Sequence, residues 1–239
     1  MRYFIDLFKD IIAPHYYKLN PQIFGRGYER YKHQLINKLI EGKKINQITY
    51  MDERIVEIPW IIKEIKNKKG NLLDAGSSLN FYKFLSYLKK FDKIFITTLF
   101  PENNFFNNLK ISYTYEDISN LSFKDKFFDV VTCISTLEHI GYDNKIYNHG
   151  NHKNSKKKKD HLNLVLKNLY RVLKKKGVLL ITVPYGKYGS YQNMQQFDEK
   201  TLKKIFKILN ARKVLVEYYK SSKNKWTKTN KFLCKNIEP

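Results

Sequence analysis

Short apolar segments alternate with segments of helical periodicity along most of this chain of 239 residues. The apolar segments are rich in Ile, Val, Leu and Phe, as is typical of strands that are buried on both faces of a parallel sheet. Strands that alternate with helices predict an α/β fold with a doubly wound, mostly parallel sheet. We expect seven strands, at residues 71–73, 93–98, 111–115, 128–135, 178–183, 214–219 and 231–234.

The segments between these strands indicate the domain organisation. Helices are expected at residues 81–90, 160–173 and 199–209. No helical pattern separates the last two strands, which predicts an antiparallel hairpin at one edge of the sheet. The pattern is less regular before the first strand. We therefore expect an N-terminal helical extension or lid over residues 1–50 and one sheet-bearing domain over residues 51–239.

A polar segment interrupts this domain at residues 148–160, with the sequence NHGNHKNSKKKKD. It contains five lysines and no apolar residue, so we expect a disordered, Lys-rich insertion between a strand and the next helix. His149 and His152 lie within it, but the segment does not provide the further ligand geometry that would complete a metal site. No bound metal is expected.

Cysteine use and the N-terminal segment indicate the cellular compartment. Cys133 and Cys234 are too few for a disulfide framework, and neither has a partner at metal-ligand spacing. Asp6, Lys9 and Asp10 interrupt the apolar residues at the N-terminus, and no run of about 18 apolar residues occurs anywhere. We therefore expect a cytoplasmic protein without a signal peptide or a transmembrane segment.

The net charge is strongly positive, because 45 Lys and Arg outnumber 22 Asp and Glu to give +23. Such a charge attracts nucleic acid, anionic lipid or acidic substrates, and residues 212–235 carry eight of these cations. The alternative is compositional: Lys is abundant together with Asn, Ile and Tyr, and the lysines are spread over a solvated surface. Charge by itself leaves both interpretations open.

The loop after the first strand is the first place to expect a ligand. In an open parallel sheet, ligands bind outside the carboxyl ends of the strands, where the strand order reverses. The sequence there is LLDAGSSLN. Gly76 allows the backbone to approach a ligand closely, and Asp74 at the strand end provides a carboxylate.

Three segments together resemble one family. LLDAGSS, YEDISNLSFKDKFFDVVTCISTLEHI and LYRVLKKKGVLLITVPYG occur in an order and spacing similar to those of class I S-adenosylmethionine-dependent methyltransferases of type 11. The resemblance covers about residues 70–190. It implies a Rossmann-like sheet and S-adenosylmethionine as cofactor.

The resemblance also implies positions for the cofactor. Asp74, Ala75 and Gly76 are expected near its methionine portion, and Asp117 and Ile118 around its adenine. Ser135, which follows the fourth strand, is expected to face the cofactor or the incoming substrate.

The sequence departs from the family pattern at two places. Ser78 and Asn80 replace later glycines of the first loop, and the acidic residue that usually ends the second strand is absent. Thr98 stands at that strand end and can hydrogen-bond a ribose hydroxyl, while Glu102 can reach the ribose from the following loop.

Methyl transfer from a sulfonium requires little more than alignment of the acceptor and removal of its proton. His139 is the candidate catalytic base, because neutral imidazole accepts protons near pH 7. The alternative is that His139 only packs or hydrogen-bonds in the first turn of a helix. Tyr185 and Gln196, in the region after the fifth strand, are the candidate substrate-binding residues.

We therefore expect an S-adenosylmethionine-dependent methyltransferase that methylates an oxygen of a small molecule or a sugar, as in glycan or surface polysaccharide biosynthesis. One alternative is an RNA methyltransferase, favoured by the charge. Another is a noncatalytic binding protein that retains the methyltransferase fold. The oligomeric state is left open.

Overall fold

The computed structural model describes residues 21–45, 51–106, 109–142, 158–191, 194–222 and 225–238. The chain forms two compact units. One unit comprises Met1–Glu64 and Tyr219–Lys228, and the other comprises Ile65–Tyr218 and Thr229–Pro239. The second unit contains every strand of the main sheet.

The strands are β1 (Asn71–Ala75), β2 (Lys93–Thr98), β3 (Ile111–Tyr115), β4 (Phe128–Ile134), β5 (Leu173–Thr182), β6 (Gly189–Tyr191), β7 (Met194–Gln196), β8 (Tyr218–Ser222) and β9 (Lys225–Thr229). The α-helices are α1 (Pro21–Ile40), α2 (Arg54–Ile65), α3 (Tyr82–Leu85), α4 (Lys158–Val172), α5 (Glu199–Ile208) and α6 (Lys231–Cys234). Short 3₁₀ turns occupy Ser86–Leu88, Ile118–Asn120 and Leu137–His139.

The main sheet has the order β3-β2-β1-β4-β5, and all of its pairs are parallel. Central strand β1 therefore pairs with β2 through Leu72 and Ile94, and with β4 through Leu72 and Val130. The strand order reverses between β1 and β4, so the loops that follow these two strands flank a cleft. The Rossmann-like, doubly wound α/β fold expected from the sequence is confirmed.

The expected number of strands is not confirmed, because the main sheet contains five strands in the described part of the chain. Residues 214–217 are outside any strand, and β8 pairs with β9 in a separate two-stranded sheet. The segment expected as the seventh strand forms helix α6 instead. The side chain of Asn230 accepts hydrogen bonds from the backbone N–H groups of Phe232 and Leu233, and this N-cap begins the helix.

The core lies on the face of the sheet that α4 covers. Val165, Leu166, Leu169 and Val172 recur at helical spacing and are completely buried, as are Phe128 and Val131 of β4. The rings of Phe95, Phe123, Phe127 and Phe128 meet edge to face at several contacts. This packing gives the carboxyl ends of the strands fixed positions.

The Lys-rich insertion expected at residues 148–160 lies largely outside the described residues, as do His149, His152 and the first 20 residues. Helix α4 already begins at Lys158, so the last three residues of that segment are helical. None of the helices in the described residues has the length and apolarity needed to cross a bilayer.

Candidate functional site

Asp74, the second-last residue of β1, fastens the loop that follows it. We call residues 76–80 the first loop. The carboxylate of Asp74 is fully buried; its Oδ2 accepts a hydrogen bond of 2.7 Å from the backbone N–H of Leu79. Its Oδ1 accepts one of 2.8 Å from the hydroxyl of Thr132 in β4. Asp74 thereby closes the first loop and connects β1 to β4.

Gly76 brings the first loop against the loop after β4. Its φ is +110°, in a region that side chains rarely adopt, and a Cβ at this position would lie 2.2 Å from the hydroxyl oxygen of Thr136. The backbone N–H of Gly76 donates a hydrogen bond of 2.9 Å to the carbonyl of Thr97. The close approach of two loops at the cleft therefore requires glycine.

Glu102, in the loop after β2, holds the first loop from the other side. Its Oε2 accepts hydrogen bonds from the hydroxyl of Ser77 at 2.6 Å and from the amide of Asn80 at 3.0 Å. Asn80 also exchanges hydrogen bonds with Asn104, and the hydroxyl of Tyr113 donates to its Oδ1. The first loop is thus fixed by polar side chains.

Ser78 and Asn80, where the resemblance leads one to expect glycine, both contribute to this arrangement. The hydroxyl of Ser78 donates a hydrogen bond of 2.9 Å to the carbonyl of Ile134, at the end of β4. The side chains that replace the glycines therefore hold the loop in place through specific hydrogen bonds.

Ser135 connects the carboxyl ends of β4 and β5. Its backbone N–H donates a hydrogen bond of 2.9 Å to the hydroxyl of Thr182, the last residue of β5. Its φ is +40°, an unusual value for a residue with a side chain. Strained backbone of this kind is found most often at functional sites.

His139 follows in the 3₁₀ turn Leu137–His139 and is partly exposed.

Asp117, after β3, accepts a hydrogen bond of 2.7 Å from the backbone N–H of Ser119. Its Oδ2 also lies 3.1 Å from Nε2 of His161 on α4. Burial by itself raises the pKa of Asp117, but the bonds from Ser119 and the adjacent imidazole outweigh burial and hold the pKa below its ordinary value. Asp117 is therefore ionised at neutral pH, and Ile118 beside it is buried.

Tyr185 and Gln196 lie after β5. The ring of Tyr185 packs edge to face on Tyr218, with 4.9 Å between the ring centroids. The amide of Gln196 donates hydrogen bonds to two backbone carbonyls, those of Lys187 at 3.0 Å and Ile237 at 2.7 Å. Gln196 thus connects the loop after β5 to the C-terminal segment.

The structure brings some of the candidate residues together and separates others. Asp74, Ala75, Gly76 and Ser135 surround the junction between the loops after β1 and β4, and Thr98 lies partly exposed at the end of neighbouring β2. Asp117 and Ile118 contact α4 through the 3₁₀ turn after β3, while Tyr185 and Gln196 contact the C-terminal segment.

Thr132 and His161 are two site residues that sequence reasoning missed. Thr132 faces Asp74 across a strand pair that joins residues 58 positions apart, and no local pattern reveals such a pair. His161 was recognisable in the sequence, because it lies one helical turn before Val165 on the apolar face of α4. In the structure its side chain is 4% exposed. A polar residue on an apolar face indicates a buried partner.

The thiol of Cys133 is completely buried, and this burial strongly raises its pKa. A protonated, inaccessible thiol is a poor nucleophile.

Among the described residues, no group of three or more His, Cys, Asp or Glu side chains has an arrangement that could hold a metal ion.

Comparison with known proteins identifies similar chains. A family model for a methyltransferase domain, of type 11, matches residues 95–181. An uncharacterized protein of Methanocaldococcus jannaschii is 31% identical over 138 residues, which are 57% of this chain and 51% of that protein. The chain therefore spans about half the length of this curated relative.

Among solved structures, the chain is similar to a 1,6-didemethyltoxoflavin N1-methyltransferase of Burkholderia thailandensis, determined with 1,6-didemethyltoxoflavin and S-adenosylhomocysteine bound. The two chains are 14% identical, the match covers 81% of this chain and 82% of that one, and the TM-score is 0.53. At this identity the similarity shows a common fold.

Proposed function

We propose that this chain, whose residues 95–181 match the family model of a type 11 methyltransferase domain, is an S-adenosylmethionine-dependent methyltransferase. The observation that carries the proposal is the junction of the loops after β1 and β4, at the point where the strand order reverses. A cleft at this point, built on buried strands, suits a nucleoside-containing ligand.

The residues at the junction fit such a cofactor. Glycine at position 76 allows Thr136 to approach the first loop closely, and the loop is already ordered by Asp74 and Glu102. A preordered loop binds a ligand without a further cost in conformational entropy. We assign Asp74, Ala75, Gly76 and Ser135 to the methionine side of the cofactor site, with Asp74 acting through the loop that it holds.

The remaining cofactor contacts are proposed for the loops after β2 and β3. We propose that Thr98 and Glu102 bind the ribose hydroxyls, and the hydrogen bonds that hold the first loop use the Oε2 atom of Glu102. Asp117 and Ile118 are assigned to the adenine, where the ionised carboxylate of Asp117 can accept a hydrogen bond from an amino group.

S-adenosylmethionine supplies a methyl group that is already activated on a sulfonium. The chain must therefore align an acceptor, exclude water and remove a proton. We propose that His139 removes this proton, because it follows β4 directly and is accessible. Tyr185 and Gln196 are proposed on the acceptor side, with Gln196 acting through the loop that it fastens.

We propose an oxygen of a small molecule or a sugar as the acceptor. Cys133 and Ile134 end β4 and Ser135 follows it, at the place where enzymes that methylate exocyclic amines carry a different polar and aromatic element. This difference supports an oxygen over an amine of a flipped base. RNA methylation and a noncatalytic binding role are the alternatives, and the following experiment separates the two enzyme functions from the noncatalytic one.

Isothermal titration of the protein with S-adenosylmethionine and S-adenosylhomocysteine tests the proposal. We expect saturable binding of both. We also expect Glu102→Gln to weaken binding at least about tenfold, because the first loop loses a charged hydrogen-bond acceptor. Glu53→Gln removes an exposed carboxylate on the other unit and serves as the matched control. Absence of binding to the wild-type protein would refute the proposal.

A further inference from the structure

A shallow cavity of about 680 Å³, widely open to solvent, lies in the larger unit between the loop after β5 and helix α5. Tyr185 and Gly186 line it on the loop side. Five lysines line the rest: Lys200, Lys203, Lys204, Lys207 and Lys235. The volume falls within the range that small-molecule sites occupy in proteins, about 300–1,000 Å³.

The lysines share this cavity because of their spacing. Four of them occur on α5 at intervals of three, four and seven residues from Lys200, so they project from one face of the helix. Lys235 joins them from the end of α6. The helix itself is anchored by Asp198, whose carboxylate caps its N-terminus.

The two carboxylates at the cavity already have partners within the protein. Asp198 accepts hydrogen bonds from the backbone N–H of Thr201 at 2.7 Å and from its hydroxyl at 2.6 Å. Glu199 lies 3.2 Å from Lys203 and 3.4 Å from Lys231. Within the described residues, Lys204, Lys207 and Lys235 form no ion pair. The cavity therefore has an excess of positive charge.

The wall formed by the loop after β5 has a defined structure. Gly186 donates its backbone N–H to the carbonyl of Phe197, and a Cβ at Gly186 would lie 2.4 Å from both the amide nitrogen of Gln196 and the carbonyl oxygen of Ile237. Tyr185 is packed on Tyr218, and burial raises its pKa, so its hydroxyl remains a hydrogen-bond donor at neutral pH.

We propose that this cavity binds the phosphate groups of the acceptor, and that the acceptor is therefore a small molecule carrying a phosphate ester or a diphosphate. A phosphate ester carries about −1.5 to −2 charges at neutral pH and presents three strong acceptor oxygens. Several unpaired ammonium groups beside a phenol hydroxyl complement such a group. The assignment of the ligand as acceptor rests on the proposed function.

The small extent of the site favours a small molecule over RNA. An RNA track extends along a surface and follows the backbone over several nucleotides. Here the unpaired lysines are exposed to solvent but confined to one face of α5 and the end of α6, beside a packed tyrosine, so a compact anion can contact several of them.

Titration with inorganic pyrophosphate at fixed ionic strength tests the site directly. The pocket variant is Lys204→Gln with Lys207→Gln. The matched control is Lys175→Gln with Lys176→Gln, two exposed residues near the start of β5, whereas the loop that lines the cavity follows the end of this strand. We expect the pocket variant to weaken pyrophosphate binding about tenfold or more, because hydrogen bonds to charged groups are lost, and the control to leave it unchanged.

The same variants are titrated with S-adenosylmethionine and with a single-stranded RNA of mixed sequence. We expect both double variants to bind S-adenosylmethionine as the wild-type protein does. Failure of the wild-type protein to bind S-adenosylmethionine, with pyrophosphate binding intact, refutes the proposed function and leaves an anion site.

Two results would overturn the anion site itself. One is pyrophosphate binding that is absent or equally affected in the two double variants. The other is RNA binding that only the pocket variant loses while its pyrophosphate affinity is unchanged, since the lysines would then form an RNA interface.

Discussion

Asp74 uses both oxygens of one buried carboxylate, for Leu79 in the first loop and for Thr132 in β4. We expect Asp74→Asn to lower the free energy of unfolding by about 1–3 kcal/mol, because an amide cannot accept both hydrogen bonds. Urea denaturation measures this change. Asp92→Asn, an exposed carboxyl on the same unit, is the control and should change stability little. Equal stability of the two variants would contradict the structural role of Asp74.

Gly76→Ala tests the approach of the first loop to Thr136. The added Cβ meets the Thr136 hydroxyl and must adopt a positive φ, so we expect a loss of stability of about 1–3 kcal/mol and weaker cofactor binding. Removing the hydroxyl in Gly76→Ala with Thr136→Ala should restore part of this loss.

Gly27→Ala is the matched control for Gly76→Ala. It lies in α1 with no atom within 4 Å of the added Cβ, so it should stabilise the protein by about 0.5–1 kcal/mol. A similar response of the two glycines in thermal denaturation would exclude a special role for position 76.

Asp117 and Asp129 predict how stability depends on pH. Burial raises the pKa of each carboxyl, but hydrogen bonds and nearby charges hold both pKa values below the ordinary value of 3.8. For Asp117 the partners are Ser119 and His161. For Asp129 they are Lys174 and Asn71. Each therefore stabilises the folded state above the unfolded pKa. This contribution is lost as pH falls below 3.8 through the lower folded pKa.

Denaturation in urea across this acidic range measures the effect. We expect the free energy of unfolding to fall more steeply with decreasing pH for the wild-type protein than for Asp117→Asn or Asp129→Asn. Identical pH profiles for the wild-type protein and both variants would show that these carboxyls do not couple to folding.

At the scale of elements, the main sheet and the segment that precedes β8 differ in how deeply their leucines are buried. Leu73 in β1 is completely buried, whereas Leu215 is 63% exposed. We expect Leu73→Ala to cost about 2–5 kcal/mol. Leu215→Ala should change stability by less than about 0.5 kcal/mol. A large loss for Leu215→Ala in chemical denaturation would show that this segment packs in solution.

The sequence was sufficient to predict those strands and helices that are determined by the residues within the element itself. Strands β2 and β3 begin and end at the predicted residues, because both are short runs rich in β-branched and aromatic side chains, which favour strands. The strand predicted at residues 231–234 was wrong, since Asn230 caps a helix there and a cap competes with strand pairing. The predicted strand at 214–219 has an apolar composition but lacks a neighbouring strand in the main sheet.

The site was predictable only in part, for the same reason. Asp74 and Gly76 stand out in a single loop, and the structure places them at the junction of two loops. The partners that hold this loop are Glu102, in the loop after β2, and Thr132 in β4. Contacts of this kind depend on strand order, which one sequence does not display.

At the scale of the whole molecule, the net charge of +23 predicts a response to salt. Like charges repel one another in the folded state, and salt screens this repulsion. We expect the melting temperature to rise between about 20 and 300 mM NaCl, as the Debye length shortens. A constant or falling melting temperature in differential scanning calorimetry would show that attractive ion pairs dominate instead.

The pair of Asp74 and Thr132 has a further consequence for the way the chain folds. Strands buried on both faces by similar aliphatic side chains discriminate poorly between alternative alignments, and β1 and β4 must find each other across 58 residues. A displacement of β4 by one residue would place Val131 or Cys133 opposite Asp74 and leave one oxygen of this buried side chain without the hydrogen bond from Thr132. The polar pair therefore selects the native alignment of the two strands, and with it the mutual position of every loop at the cleft.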